Sequence, residues 1–371
     1  MCSSDLLSFD YIGSLAGSVL FPLLLLPALG ATRTAFLVGL LNLGVAAWCI
    51  RLFRKKPAAP LALVGVLGAG LLGGFVFADR ATGFFERALY EDSVLFVRQT
   101  PYQRIVVTRK KSDLRLYLDG NIQFSSADEY RYHEPLIHPA MSLSASRESV
   151  LVLGGGDGLA VREILKWPEV KSITLVDIDP AMTELAKTFP ALREENQDSL
   201  SDPRVKILHE DAYKFLERGS ERYGVIVGDL PDPNNEALGK LYSREFYRLV
   251  RRRLGRGGVF VVQSTSPLFS RDAFWCIRKS VAEAGFNTTP YHVYVPTFGD
   301  WGFVLARATP EPAPDLTKTK LTGLSLRFLA SANLSTLTAF DADTNEVLID
   351  SSTLDHPRIL NYYEKETRKW E

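Results

Sequence analysis

The run Leu151-Val152-Leu153-Gly154-Gly155-Gly156-Asp157-Gly158 constrains the fold more than any other part of the chain. Val150 to Leu153 is an apolar run of strand character, and Ala160, Val161, Ile164 and Leu165 then recur at helical spacing. A strand therefore feeds a glycine-rich turn that opens a helix. Glycines let the backbone turn sharply and let a ligand approach with no Cβ in the way. Free N–H groups at the helix start favour electron-rich or anionic groups. Asp157 departs from that pattern. A carboxylate here repels a pyrophosphate, which points away from NAD and toward a sulfonium nucleoside, whose positive charge it would attract. The alternative for this run taken alone is a tight βα turn with no ligand.

From Val150 onward, strand and helix patterns alternate. Val150–Leu153, Ile173–Val176, Val205–Leu208, Val225–Val227, Val259–Val262 and Phe303–Ala306 are apolar strand candidates with helical spacing between them. That alternation predicts an α/β domain with a doubly wound, Rossmann-type parallel sheet. Ahead of it, Gln103–Thr108, Leu114–Leu118 and Ile122–Phe124 are β-type runs separated by the turns Arg109–Asp113 and Asp119-Gly120-Asn121. They predict a small antiparallel sheet.

Acidic residues recur at the carboxyl ends of these strands. Asp177 ends the second strand about twenty residues beyond the glycine turn, where an acid grips ribose hydroxyls or merely caps a strand end. Asp179-Pro180 beside it marks a helix start, with Pro in the first turn. Asp211, after the third strand, either accepts from an adenine amino group or caps the next helix. After the fourth strand comes Gly228-Asp229-Leu230-Pro231-Asp232-Pro233. Two carboxylates three residues apart thus sit where open α/β sheets place their ligands, on a loop stiffened by proline; the alternative is a proline-rich turn with solvated aspartates.

The first eighty residues are far more apolar than the rest. Tyr11–Leu29, Thr34–Leu52 and Leu61–Ala78 each have about the length needed to cross a bilayer. The first carries no charge and the second only Arg51 near its end, and no basic start or cleavage site suggests a signal peptide. Arg51 at the end of the second stretch and Arg54, Lys55 and Lys56 between it and the third should face the cytoplasm, which conflicts with three complete spans if the catalytic part is cytoplasmic. The glycines of the third stretch suit a partial span or close helix packing. Asp79–Asp92, with Phe84, Phe85 and Tyr90, reads as a connector, either along a membrane surface or as a linker helix.

Lys plus Arg and Asp plus Glu both number 43, so the net charge is zero and nothing global argues for nucleic acid. Arg251-Arg252-Arg253 ends a helical pattern, where cations suit the helix dipole. Three scattered cysteines fit neither a disulfide framework nor a metal site and suit a reducing compartment. Five unpaired histidines argue against zinc. Pro310–Pro314 is a linker; beyond it, Tyr362 and Tyr363 carry no recognisable chemistry.

Four ordered motifs carry a resemblance. Leu116-Tyr117-Leu118-Asp119-Gly120-Asn121-Ile122-Gln123, then Asp128-Glu129-Tyr130-Arg131-Tyr132-His133-Glu134, then the glycine turn, then Asp229-Leu230-Pro231-Asp232-Pro233 together resemble the polyamine aminopropyltransferase (spermidine synthase) family, from about Tyr102 to Ala306. The apolar start and the tail resemble its bacterial membrane-attached branch. That branch usually carries more spans, which implies a truncated or short variant. The resemblance implies transfer of an aminopropyl group from decarboxylated S-adenosylmethionine to a diamine such as putrescine, giving spermidine and methylthioadenosine. It implies a methyltransferase-like fold, no metal and no cofactor beyond the co-substrate. By motif position, Gln103, Gln123, His133, Asp157, Asp177 and Asp211 would hold the donor. Asp229 would be the general base, and Tyr132, Asp232 and Gln263 would serve the acceptor. Phe298 stands where many soluble members have an acceptor-contacting tyrosine, which leaves acceptor identity open. Trp301 is either an acceptor wall or ordinary core.

The expected organisation is a transmembrane segment over 1–80, a linker over 81–92, a β-strand domain over 93–148, a catalytic domain over 149–308, and a linker with extension over 309–371. The expected setting is a multi-pass cell-membrane protein with its catalytic part in the cytoplasm, assembled as a dimer or tetramer. The rival readings are a methyltransferase using S-adenosylmethionine itself and a catalytically silent polyamine-binding membrane protein.

Overall fold

The computed structural model describes residues 3–54, 58–78, 90, 92–329 and 334–370. The chain divides into two compact units: Met1–Ser112 with Leu118–Gly120, and Asp113–Tyr117 with Asn121–Glu371. The division runs through the stretch 93–148 rather than around it.

The first unit begins with helices α1 (Ser3–Leu20), α2 (Leu26–Phe53) and α3 (Ala58–Val76). Two helical segments, Thr32–Phe53 and Ala58–Val76, are long and apolar enough to cross a membrane by length and composition. The first apolar stretch, expected as a further span, is helical but irregular. A π-helical turn, Phe21–Leu25, follows α1, and Gly30 inside α2 is non-helical at φ 74°, ψ 169°. Gly30 supplies the chemistry of such a kink. Glycine does serve close packing between α2 and α3: a Cβ on Gly74 would lie 2.3 Å from the Phe36 ring. Most of the connector expected at Asp79–Asp92 lies outside the described residues. Strands β1 (Ser93–Gln99) and β2 (Arg104–Lys110) pair antiparallel and complete the unit.

The second unit opens with the neighbouring strands β3 (Asp113–Leu118) and β4 (Asn121–Ser125), then helix α4 (Tyr130–Leu143). There follow β5 (Ser149–Gly154), α5 (Leu159–Leu165), β6 (Ser172–Asp177), α6 (Pro180–Thr188), α7 (Pro190–Asn196), β7 (Val205–His209), α8 (Ala212–Arg218) and β8 (Tyr223–Asp229). Then come α9 (Arg244–Arg253), β9 (Leu254–Gln263), α10 (Arg271–Glu283), β10 (Phe286–Val295), β11 (Gly299–Ala308) and, in the extension, α11 (Arg358–Thr367).

All six strands expected from Val150 onward are present. They lie in one seven-stranded sheet, order β10-β11-β9-β8-β5-β6-β7. Its β9-β8-β5-β6-β7 part is parallel. The expectation of a wholly parallel sheet needs correction at one edge, where β11 runs antiparallel to both β9 and β10. β10 was not foreseen, because Pro290 interrupts its pattern. Pro290 is tolerated because β10 is the edge strand.

The interior strand β5 is buried along its centre, as sheets covered on both faces require. Side chains of α8, α9, α10 and α11 join Leu151, Ile226, Phe260 and Val304 in one continuous core. Because β5 pairs with β6 on one side and β8 on the other, winding reverses between β5 and β8. The carboxyl ends of those two strands form the crevice where such sheets bind ligands.

Candidate active site

The glycine turn and Asp229 meet at that crevice. Gly154 and Asp229 are register partners across β5 and β8. A Cβ on Gly154 would lie 2.0 Å from the Asp229 carbonyl oxygen, and Gly154 holds φ +80°, so only glycine fits. A Cβ on Gly155 would lie 2.9 Å from Asp229 Oδ2, and one on Gly156 only 2.4 Å from Asp177 Oδ2. The turn therefore runs directly against both carboxylates.

Helix α4 brings in Tyr132 and His133. The helix contains Pro135 and Pro139. Pro139 cannot donate to the carbonyl of Pro135, and Tyr291 Oη donates to it instead at 2.8 Å. The buried Tyr132 Oη donates to Asp229 Oδ1 at 2.7 Å. His133 Nδ1 lies 2.9 Å from the Glu129 carbonyl and 3.0 Å from Glu129 Oε2, and that carboxylate is held by Arg162 Nη2 at 2.8 Å. Burial disfavours the His133 imidazolium, but Glu129 overrides it and the pKa is raised.

The carboxylates at the crevice share one electrostatic setting. Burial pushes Asp229 up to about 6; His133 opposes this, Asp157 adds to it, and the Tyr132 hydrogen bond opposes it. Burial likewise pushes Asp177 up to about 6, with Asp179 and Asp157 contributing repulsion against the Asp179 N–H bond. Asp157 is itself raised by burial against the pull of His133. Its Oδ1 accepts from the Leu159 N–H at 2.9 Å, at the start of α5. Asp157 thus bears electrostatically on both Asp177 and Asp229. Buried carboxyl groups whose protonated form is favoured in this way suit cations, whose arrival favours the ionised form.

Asp232 lies on the loop beyond β8. Burial pushes it up to about 6, opposed by hydrogen bonds from Tyr363 and Gln263. Buried Gln263, ending β9, donates from Nε2 to the Leu230 carbonyl at 2.6 Å, to Tyr242 Oη at 2.5 Å and to Asp232 Oδ1 at 3.3 Å. Its Oε1 accepts from the Thr265 N–H at 2.9 Å. An aromatic wall stands beside Tyr132: Phe298 and Trp301 lie 6.1 Å and 6.5 Å from its ring centroid and 5.1 Å from each other. The β10–β11 loop that carries Phe298 is tied to Asp128, whose Oδ2 accepts from the Thr297 N–H and hydroxyl, each at 2.7 Å. Trp301 belongs to this aromatic group, and its Nε1 is buried without a hydrogen-bond partner among the described residues.

The remaining expected donor residues stand differently. Asp211 caps α8, accepting from the Tyr213 and Lys214 N–H groups, and pairs with Lys240 Nζ at 2.5 Å. Burial raises it, but Lys240 and the cap carry it below the ordinary range. It sits two residues past His209, the register partner of Asp177, on the same sheet edge. Gln123 Nε2 donates locally to the Asn121 carbonyl at 3.2 Å. Gln103 belongs to the first unit, where its N–H donates to Thr100 Oγ1 at 3.0 Å. Tyr363, from α11, is the site residue that sequence reasoning missed: its Oη donates to Asp232 Oδ2 at 2.9 Å. Among the described residues, no cluster of His, Cys, Asp and Glu has the arrangement of a metal site.

A family model described as the spermine/spermidine synthase domain matches residues 129–318. A polyamine aminopropyltransferase of Leptospira interrogans is 44% identical over 367 residues, covering 98% of this chain and 72% of that protein. A polyamine aminopropyltransferase of Oceanobacillus iheyensis is 45% identical over 363 residues, covering 96% and 70%. A crystal structure of a spermidine synthase in complex with the transition state analogue AdoDATO shares the fold, with TM-score 0.62 and 24% identity over 75% of this chain and 89% of that one. The four motifs, the crevice they build and these likenesses agree: the chain belongs to the spermine/spermidine synthase family of aminopropyl-transferring enzymes.

Proposed function

We propose that the enzyme moves the aminopropyl group of decarboxylated S-adenosylmethionine to a diamine such as putrescine, giving spermidine and methylthioadenosine, with Asp229 as general base. One observation carries this reading: Asp229 lies against the glycine turn while its Oδ1 accepts from Tyr132. A nucleoside seated on the turn would therefore have the base beside its reactive arm.

The donor carries positive charge at sulfur and at its amine, which suits Asp157 facing the aminopropyl ammonium and His133 beside it. Asp177 suits the ribose hydroxyls, and Asp211 the adenine edge. Gln103 and Gln123 join the donor side on resemblance alone. The acceptor arrives as an ammonium with a pKa near that of lysine, about 10.4. Asp229, raised to about 6 by burial, is a stronger base than an ordinary carboxylate and narrows that gap. Loss of amine hydration narrows it further. The amine nitrogen then attacks the carbon next to sulfur. The new N–C bond forms as the C–S bond breaks, the electron pair stays on sulfur, and the proton goes to Asp229. The leaving group is a neutral thioether, so no general acid is required. In-line alignment of nitrogen, carbon and sulfur supplies much of the acceleration. Asp232, oriented by Gln263, would hold the acceptor's second ammonium.

The test is product identity. With decarboxylated donor and 1,4-diaminobutane, the purified protein should release methylthioadenosine and spermidine. S-adenosylhomocysteine formed from S-adenosylmethionine would establish a methyltransferase instead. Diamine binding without turnover would favour the silent membrane protein.

The apolar helices fit membrane attachment: Leu41, Trp48, Phe53, Leu63 and Val66 are each at least 60% exposed, an apolar surface that lipid would cover. A cytoplasmic catalytic part fits the free thiol of Cys276. Assembly as a dimer or tetramer follows the family resemblance, and cross-linking of the full chain tests it.

A further inference from the structure

Asp232 is held from the far end of the chain. Tyr363, which donates to its Oδ2, lies on α11, well outside the matched family domain. That helix is fixed by packing. Ile359 is fully buried in the core with Tyr242 and Phe246. Leu360 sits over Gly239, where a Cβ would come within 2.8 Å of it. Glu366 Oε2 accepts from the Asp272 N–H at 3.0 Å, in the first turn of α10. Trp370 stacks edge-on to Phe269 with centroids 5.0 Å apart. The Tyr363 hydroxyl is thereby aimed at one carboxylate oxygen. Burial and the Asp232 charge push its phenol up, so it stays a donor.

A carboxylate offers about four lone-pair sites. Tyr363 takes one on Oδ2 and Gln263 one on Oδ1, which fixes the plane of the group and leaves lone pairs for a further cationic donor. We propose that the C-terminal helix is part of the acceptor site, and that Tyr363 is a positioning residue that locks Asp232 to receive the distal ammonium of a diamine, so setting the preference for diamines over monoamines. This rests on Asp232 serving the acceptor.

The experiment compares Tyr363→Phe, Asp232→Asn and the double variant of the full chain, with 1,4-diaminobutane and with 1-aminobutane. Phenylalanine keeps the packed ring, and thermal melting checks that the fold is retained. In Y363F the diamine KM should rise about tenfold, the loss of one hydrogen bond to a charged group. Its kcat should fall less, and its KM for 1-aminobutane and for the donor should hold. In the Asp232→Asn background the Tyr363 change should add nothing. An equal rise for both amines, an additive double variant or an unchanged diamine KM overturns the proposal. If the wild type binds diamine without turning it over, the assigned reaction fails, and calorimetric diamine binding, weakened in Y363F or not, still decides the role of Tyr363.

Discussion

Tyr132 Oη donates to Asp229 Oδ1 across 2.7 Å, joining the helix after the small strands to the end of a central strand. This bond orients the carboxylate and favours its ionised form, so its loss has a directional consequence. Tyr132→Phe should lower kcat by about ten- to a hundredfold. It should also move the acid limb of the rate upward from about pH 6, because the hydrogen bond opposes the burial that raises Asp229. The donor KM should hold. A pH profile of kcat for both proteins checks this.

Burial raises Asp177, Asp229 and Asp232 to about 6 in the folded chain, against an ordinary carboxylate near 3.9 when unfolded. A folded-state pKa above the unfolded one means that the stabilising contribution is complete below about pH 4 and is lost as pH rises through about 6. Asparagine mimics the protonated form. Asp229→Asn should therefore stabilise the protein by about 1–3 kcal/mol at pH 8, with no gain at pH 4. Denaturant titrations at the two pH values measure the difference.

Gly156 faces Asp177 so closely that an added methyl would lie 2.4 Å from its Oδ2. Gly156→Ala should push the Asp177 side chain off its position and raise the donor KM about ten- to a hundredfold. The diamine KM should change far less. Steady-state kinetics with each substrate varied in turn separates the two.

Glu134 anchors the extension to the site helix. Its Oε1 accepts from the Arg327 N–H at 2.6 Å, and its Oε2 from those of Phe328 and Leu329 at 2.9 Å and 2.7 Å. Glu134→Ala strands these donors and should cost about 2–4 kcal/mol, read from equilibrium unfolding.

Much of this site was legible in the sequence, for local reasons. The glycine turn, the Asp179-Pro180 helix start and the Asp229–Asp232 loop are encoded within a few residues each, and the structure keeps them: Asp179 Oδ1 accepts from the Ala181 N–H at 3.0 Å. Asp211 had two readings, of which the structure shows the helix cap, and it adds an ion pair with Lys240 that spacing could not reveal. The antiparallel edge of the sheet was hidden because Pro290 breaks the alternation on which strand reading depends. Tyr363 was invisible for a different reason. It meets Asp232 from 131 positions away, and only tertiary packing of α11 brings them together. A tyrosine beside Ile359 and Leu360 on an amphipathic helix is the one local trace it leaves.

Asp229→Asn with donor and diamine preloaded, followed as single-turnover release of methylthioadenosine across pH, tests the base assignment most directly. Wild-type rates should rise tenfold per unit up to about pH 6 and then level. The variant should be slower by about a hundredfold or more at pH 7.5 and should climb only toward the amine's own range near pH 10. A variant that matches the wild-type rate at pH 7.5 would remove Asp229 from the proton transfer and contradict the mechanism.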